Sequence, residues 1–386
     1  MIEWRQNRRR GTPPDKEEEG IEYRKLPKGE EQISVLGFGG GIDNAGEKEA
    51  LETVTAALDA GINFFDLAIS NAVSFDYYRE AWGQRRKNIY LQMHFGADFS
   101  NGGKYGWATT DPEAAKRGVE WLLKKLDTDY IDFGFIHCVD EPADLDKVVK
   151  GGTLDHIRDL QRQGVVKHIG LSTHNPVIAN LALDQGFLDM LMFSINPAYD
   201  YTDKGDYAIG AANERMALYQ RCVKEQVGIS VMKPFGGGQL VDEKLSPFGR
   251  ALTTTQCIQY ALDKPGVLTV LPGYRNMADL RQVLRYLDAT AEERDYSLLG
   301  EFAPAEAEGR CVYCSHCHPC PVGLDIALIN KYYDLARVGD ELAKDHYNHL
   351  EKHAGDCIGC GHCDARCPFH VKQSQRMEEI REYFGF

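Results

Sequence analysis

From about Gln32 to Tyr286, short apolar runs alternate with stretches whose apolar residues recur at helical spacing. The runs read "ISVLGFGG", "INFFDLA", "IYLQMHFG", "YIDFGFIH", "VKHIGLST", "MLMFSIN", "GISVMKPFGGG" and "VLTVLPG". Short, nearly continuous apolar runs are what strands buried on both faces require. Between them lie amphipathic stretches such as "EKEALETVTAALDAG", "DPEAAKRGVEWLLKKLD" and "MADLRQVLRYLDA". In the second, Asp111 stands where an N-cap belongs, and Pro112 takes the first helical position, where its missing N–H costs nothing. Eight strand-like runs, each followed by a helix or a long connection, predict an α/β fold: a TIM (β/α)8 barrel over residues 22–303. An open doubly wound sheet is the alternative, but no G-x-G-x-x-G fingerprint opens the first helix. "GFGGG" at Gly37 to Gly41 reads as a tight turn.

The pattern changes after Phe302. Residues 304–386 predict a second, small and mainly helical unit, in which "DIALINKYYDLARVGDELAKDHYNHLEKHA" reads as helix broken near Gly339. Residues 1–21 are a polar extension whose arginines have no apolar segment behind them, unlike a secretory leader. No run approaches the roughly 18 apolar residues of a membrane span. A net charge of −14 argues against nucleic acid or anionic membrane as partner, since both need basic surface. The expectation is a cytoplasmic protein acting on a small-molecule substrate.

Cysteine usage is uneven. Cys138, Cys222 and Cys257 are scattered singly and read as small buried apolar residues, while the other eight lie between Cys311 and Cys367. In a reducing compartment such density points to metal rather than disulfides. The second run, Cys357-x2-Cys360-x2-Cys363-x3-Cys367-Pro368, has the bacterial ferredoxin spacing, with Gly359 and Gly361 free to curl round a cluster. The first, Cys311-x2-Cys314-x2-Cys317-x2-Cys320-Pro321, is one residue shorter before its last cysteine. Zinc binds C-x2-C pairs too, but it does not account for three cysteines in x2 succession followed by Cys-Pro, twice over. Two [4Fe–4S] clusters are expected. By the crossed pattern of two-cluster ferredoxins, Cys311, Cys314, Cys317 and Cys367 hold one, and Cys357, Cys360, Cys363 and Cys320 the other. The long insert between the runs points to a helical ferredoxin-like arrangement.

"IEYRKLPKGEEQISVLGFGGG", "AGINFFDLA", "LDTDYIDFGFIHCVDE", "IGLSTHNP" and "VLPGYRN" together resemble the aldo-keto reductases, in particular the branch with a C-terminal iron–sulfur extension. The resemblance runs from about Glu22 to the end. It implies a TIM barrel, NADPH-dependent carbonyl reduction and an Asp, Tyr, Lys, His tetrad at the C-terminal mouth. Asp66 matches the aspartate and His137 the histidine, whereas Asn71 stands at the tyrosine position and His94 at the lysine position. An amide does not titrate, so Asn71 cannot donate the proton; an imidazole can, which makes His94 a candidate, with Tyr77, Tyr78 and Tyr105 as others. For the dinucleotide, the resemblance implies Ser172, His174 and Asn175 at the nicotinamide amide. Lys233 and Gly237 in loop seven, with Gly273 and Arg275 in loop eight, would meet the phosphates. The Glu-Asn pair that grips adenine in relatives falls on Gln282 and Val283.

Three readings follow. The first is an iron–sulfur oxidoreductase in which electrons pass between the clusters and a substrate or NADP(H) at the barrel mouth, with a ferredoxin or another electron carrier as partner. The second treats Asp66, His94 and His137 as a two-histidine, one-carboxylate metal set serving a lyase or hydratase. The third is a non-catalytic electron carrier or redox sensor, which the absence of a pocket would favour. Phe75, Tyr77, Trp107 and Tyr199 are the aromatics available to line one.

Overall fold

The computed structural model describes residues 20–42, 45–68, 72–98, 106–107, 110–201, 209–302, 309, 311, 313, 317–337, 341–367 and 369–386. A short antiparallel hairpin, β1 (Tyr23–Lys25) and β2 (Gln32–Ser34), comes first. The parallel sheet then runs β3 (Phe64–Asp66), β4 (Tyr90–Phe95), β7 (Ile131–Ile136), β8 (Val166–Thr173), β9 (Met190–Ser194), β10 (Gly228–Met232) and β11 (Val267–Val270). A second small hairpin, β5 (Ala97–Asp98) with β6 (Gly106–Trp107), leaves the end of β4. Helices such as Glu47–Asp59, Pro112–Leu126 and Ala212–Lys224 fill the crossovers. Asp111 caps its helix as expected, accepting from Glu113 N at 2.9 Å.

Seven strands do not close a barrel; the eighth comes from "ISVLGFGG", the first of the strand-like runs, through the part also read as a tight turn. Leu36 bridges Val270 and Phe38 bridges Phe65, both in parallel. Gly37 N donates to Val270 O and Phe38 N to Phe64 O, each at 2.8 Å, and Gly39 N donates to Pro272 O at 2.9 Å. "GFGG" is therefore the strand that zips the first edge to the last. Glycine is needed because of close approach: a Cβ on Gly39 would lie 2.5 Å from Pro272 O, and one on Gly40 2.8 Å from Ala68 O.

Two apolar masses follow from this closure. Inside the barrel sit Leu26, Ile33, Phe64, Phe133, Phe135, Met190, Met192, Leu268 and Leu271, with the β1–β2 hairpin supplying Leu26 and Ile33. Outside, the strands' other faces pack on the helices in one large core that also takes in Cys367, Phe369 and Val371 from the C-terminal part. The C-terminal part is helical, with Ile326–Arg337, Glu341–Asn348, His362–Arg366 and Gln373–Phe384. Gly339, where the sequence suggests a break, lies outside the described residues, between the first two of these. Among the described residues no helix is long and apolar enough to cross a membrane.

One ion pair is buried in the barrel wall. Arg215 Nε donates to Asp200 Oδ1 at 2.6 Å, and Asp200 also accepts from Tyr219 OH at 3.0 Å and Tyr260 OH at 2.6 Å. Removing one partner leaves the other charge uncompensated. Arg215→Met should cost about 3–5 kcal/mol in denaturant unfolding, and adding Asp200→Leu should recover much of that loss.

Candidate functional site

β3, β4 and β7 are neighbours in the sheet, so the polar groups at their C-terminal ends meet. Residues two apart on a strand share a face, which places Gln92 directly below His94 inside the barrel. Asp66 is 3% exposed and His94 likewise 3%. Asp66 Oδ1 accepts from Gln92 Nε2 at 3.0 Å and lies 2.6 Å from His94 Nε2. Gln92 Oε1 in turn accepts from Ser230 Oγ at 3.1 Å, across the barrel. The other nitrogen of His94, Nδ1, lies 2.8 Å from Nδ1 of His137, with the two rings nearly perpendicular. The result is one chain: Ser230, Gln92, Asp66, His94, His137. Burial, with His94, His174 and Lys233 nearby, holds the His137 imidazole neutral, far below its ordinary pKa.

The direction of this chain depends on one proton. When His94 is neutral and gives its Nε2–H to Asp66, its Nδ1 accepts, and His137 carries its proton on Nδ1 with Nε2 as an acceptor. When His94 holds two protons, Nδ1–H donates to His137 instead, and His137 presents Nε2–H. The same geometry disfavours the metal reading: both nitrogens of His94 are spent on opposite partners, so the three groups do not converge on a common point.

Beside it lies a second constellation that the sequence reading only half found. His174 Nδ1 meets Asp140 Oδ2 at 2.9 Å, and Lys233 Nζ lies 2.7 Å from His174 Nε2. Asp140 Oδ1 also accepts from Thr173 Oγ1 at 2.8 Å and from His174 N at 2.6 Å. Hydrogen bonds from His174 and Thr173 outweigh desolvation and hold the Asp140 carboxyl well below the usual range. Cys138 is an exposed residue, unlike the buried Cys222 and Cys257, yet desolvation of its sulfur and the Asp140 charge still push its thiol up to about 11. It lines the cavity, with φ at +47° and its N–H held by Ser172 Oγ at 2.8 Å. Donor atoms of Cys138, Asp140 and His174 lie within 4.8 Å of one another. With Lys233 on the histidine's outer nitrogen, the arrangement is a carboxylate–imidazole–amine chain.

Both constellations open into one cavity of about 780 Å³, within the usual range for small-molecule sites. Asp66, His94, His137, Ser172, His174 and Lys233 line it, as do Gly237, Gly273 and Arg275. Asn175 does not. It caps the helix Pro176–Asp184, accepting from Val177 N at 3.0 Å and donating to Asp140 O at 3.1 Å. Gln282 and Val283 line the cavity, and Arg275 is already paired with Asp279 at 2.9 Å. Asn71 and Tyr105 lie outside the described residues, as does the side chain of Trp107. Tyr78 packs flat on Trp82 at 5.3 Å, Phe75 packs on Trp121, and none of the described tyrosines lines the cavity. Phe235, Met192 and Met232 line it instead; no local spacing marks them.

In the C-terminal part, Cys320 joins Cys357, Cys360 and Cys363 around one small cavity. Gly359 and Gly361 there adopt φ of +65° and +68°, with open space beside them, so the backbone curls as cluster ligation requires. The four thiols fit a [4Fe–4S] centre by donor type and grouping. Cys311, Cys317 and Cys367 are at least partly buried, and Cys314 lies outside the described residues. Tyr313, between the first two cysteines of its run, accepts from Gln220 at 3.4 Å and donates to Asp334 at 2.9 Å, tying that run to the barrel helix Ala212–Lys224.

The profile of the Aldo/keto reductase family matches residues 35–251. The chain belongs to this family. A 4Fe-4S dicluster domain profile matches residues 308–371, so the barrel carries an iron–sulfur domain at its C-terminal end. An uncharacterized oxidoreductase of Bacillus subtilis, YqkF, is 24% identical over 287 residues, covering 69% of this chain and 91% of that protein. The holo form of an aldo-keto reductase from Bacillus halodurans, AKR11C1, superposes with a TM-score of 0.60 at 22% identity, covering 73% of this chain and 96% of that one. An aldo-keto reductase from Klebsiella pneumoniae in complex with NADPH gives 0.54 at 16% identity, over 74% and 96% of the two chains. The chain is an oxidoreductase of the aldo-keto reductase fold.

A histidine kept neutral in the fold takes up a proton when the chain unfolds, so the unfolded state binds more protons below about pH 6.5. Stability should therefore fall with pH below that value, by about 1.4 kcal/mol at pH 5.5 from His137 alone. His137→Gln should lose that component, read as the difference between the two pH profiles of unfolding free energy.

Proposed function

We propose that the chain moves electrons between its iron–sulfur domain and a carbonyl compound, or NADP(H), held at the barrel mouth. In this reading residues 22–303 do the chemistry and residues 304–386 hold the clusters. The observation that carries it is the unbroken chain from Asp66 through His94 to His137, ending in the cavity. It supplies what Asn71 cannot. With His94 doubly protonated, His137 presents Nε2–H to the carbonyl oxygen. As negative charge develops there, that proton leaves, Nδ1 of His137 takes a proton from Nδ1 of His94, and His94 stays bound to Asp66 as the neutral ring. The carboxylate orients the first imidazole and stabilises its charged form; Gln92 and Ser230 hold the carboxylate.

Bound clusters supply electrons one at a time, and bound NADP(H) would supply or accept a hydride. Ser172 and His174 are the groups placed for the nicotinamide end, with Lys233 and the glycines at Gly237 and Gly273 for the phosphates and Arg275 at the rim for a 2′-phosphate, which would share it with Asp279. Cys311, Cys314, Cys317 and Cys367 would hold one cluster, and Cys320, Cys357, Cys360 and Cys363 the second. A chain of net charge −14, working in the cytoplasm with a ferredoxin or another carrier, fits this reading. A metal-dependent lyase is disfavoured by the two-sided bonding of His94. A site as large as this cavity speaks against a purely passive carrier.

Three measurements test it. Anaerobically purified protein should contain about eight irons per chain, and Cys320→Ser about four, by iron and sulfide assay. Titration with NADPH, followed by EPR, should produce a reduced-cluster signal; no binding and no signal would remove the nucleotide from the proposal. His137→Ala should lower turnover of an aldehyde panel by about a hundredfold or more with cluster content unchanged. Turnover in His137→Ala equal to that of the native chain would end the relay.

A further inference from the structure

We infer that Lys233 is a nucleophilic amine that captures aldehydes or ketones as a reversible imine, with Asp140 and His174 as its base. This is independent of the proton relay at His137, and it gives the loop-seven lysine a role other than holding phosphate. The ordering of groups is the argument. Asp140 Oδ2 takes the Nδ1–H of His174 at 2.9 Å, which leaves Nε2 with its lone pair outward, and that lone pair meets Lys233 Nζ at 2.7 Å. A carboxylate that orients an imidazole, which in turn faces a nucleophile within hydrogen-bond reach, is the general arrangement for activating that nucleophile.

Backbone geometry aims the amine. Lys233 has φ at +53°, an uncommon conformation for a residue with a side chain, and its carbonyl is fixed by Asn196 Nδ2 and Gly236 N, each at 2.9 Å. Asn196 is itself fully buried. The strained turn sends the half-buried side chain back towards His174, along the wall of the cavity that it lines. Burial also lowers the lysine's pKa, against the opposing pull of Cys138 and Asp140, so the uncharged amine is more accessible than on the surface.

The chemistry balances. His174 Nε2 accepts a proton from the Lys233 ammonium, giving an amine beside an imidazolium that Asp140 stabilises. The amine lone pair forms the C–N bond to the carbonyl carbon as the C=O π bond breaks, and a proton passes from that nitrogen to the oxygen to give the carbinolamine. The imidazolium returns its proton to that hydroxyl, which leaves as water, and the iminium remains. The sum is one carbonyl compound and one lysine ammonium giving one protonated imine and one water, with no oxidant or reductant.

The test uses the whole iron–sulfur protein, kept anaerobic, with propanal as probe and cyanoborohydride to trap the imine. Modified lysines are located by peptide mass. Lys233 should be alkylated about a hundredfold faster than the mean of the other lysines. Asp140→Asn should cut the Lys233 rate at least about tenfold while circular dichroism and the cluster EPR signal stay unchanged, and His174→Asn should do the same. Labelling of Lys233 at the rate of surface lysines, or at the native rate in both variants, would overturn the inference. A chain that traps propanal at Lys233 yet shows no His137-dependent turnover would count against the proposed reduction alone.

Discussion

A carboxyl group buried inside a barrel needs hydrogen-bond partners for its oxygens, and Asp66 is the place where this structure meets that demand. An unpaired buried charge costs several kcal/mol, so the surrounding strands are constrained to bring partners to it. Gln92 and His94 come from β4, and the backbone N–H of Asp66 itself donates to Phe38 O in the closing strand at 2.8 Å. The same residue thus ends β3, pins the glycine-rich closing segment and starts the chain that reaches the cavity. Barrel closure and site assembly are one constraint.

The cavity contains this device twice. In each case a carboxylate takes one nitrogen of an imidazole, and the other nitrogen faces a further group: His137 in one chain, Lys233 in the other. The carboxylate decides the tautomer, and the tautomer decides whether the outer nitrogen gives or takes a proton. The outer groups differ, so the chemistry differs. As proposed, the imidazole would relay a proton, whereas the amine would acquire nucleophilicity. In the proposed reading, His94 at the lysine position of the family tetrad would act as a two-ended conductor of protons in place of a point cation.

The iron–sulfur domain is attached to the barrel by packing rather than by a tether alone. Cys367, Phe369 and Val371 lie in the same apolar core as the barrel helices. Tyr313 donates to Asp334, and its carbonyl accepts from Tyr296 OH at 3.1 Å. Described residues of both cysteine runs thus pack against the barrel, as the proposed electron exchange would require.

Local pattern carried the fold: buried parallel strands must be short and apolar, the helices between them must be amphipathic, and thiol spacing of two or three residues is itself a ligand geometry. Those features come from neighbours in sequence, so residues alone revealed the barrel, the helical tail and the cysteine runs. The pairing within the mouth was decided elsewhere. His94 and Asp66 are 28 positions apart, His94 and His137 43, and Lys233 and His174 59. Which nitrogen meets which partner follows from strand register and from closure through Gly37 to Gly40, neither of which spacing records. For that reason the end of "ISVLGFGG" looked like a turn rather than a closing strand, and Cys138 looked like core. Sequence determined which groups reach the mouth, because strand ends put them there; only the tertiary structure decided what they do to one another, because a proton's direction depends on distances across the closed barrel.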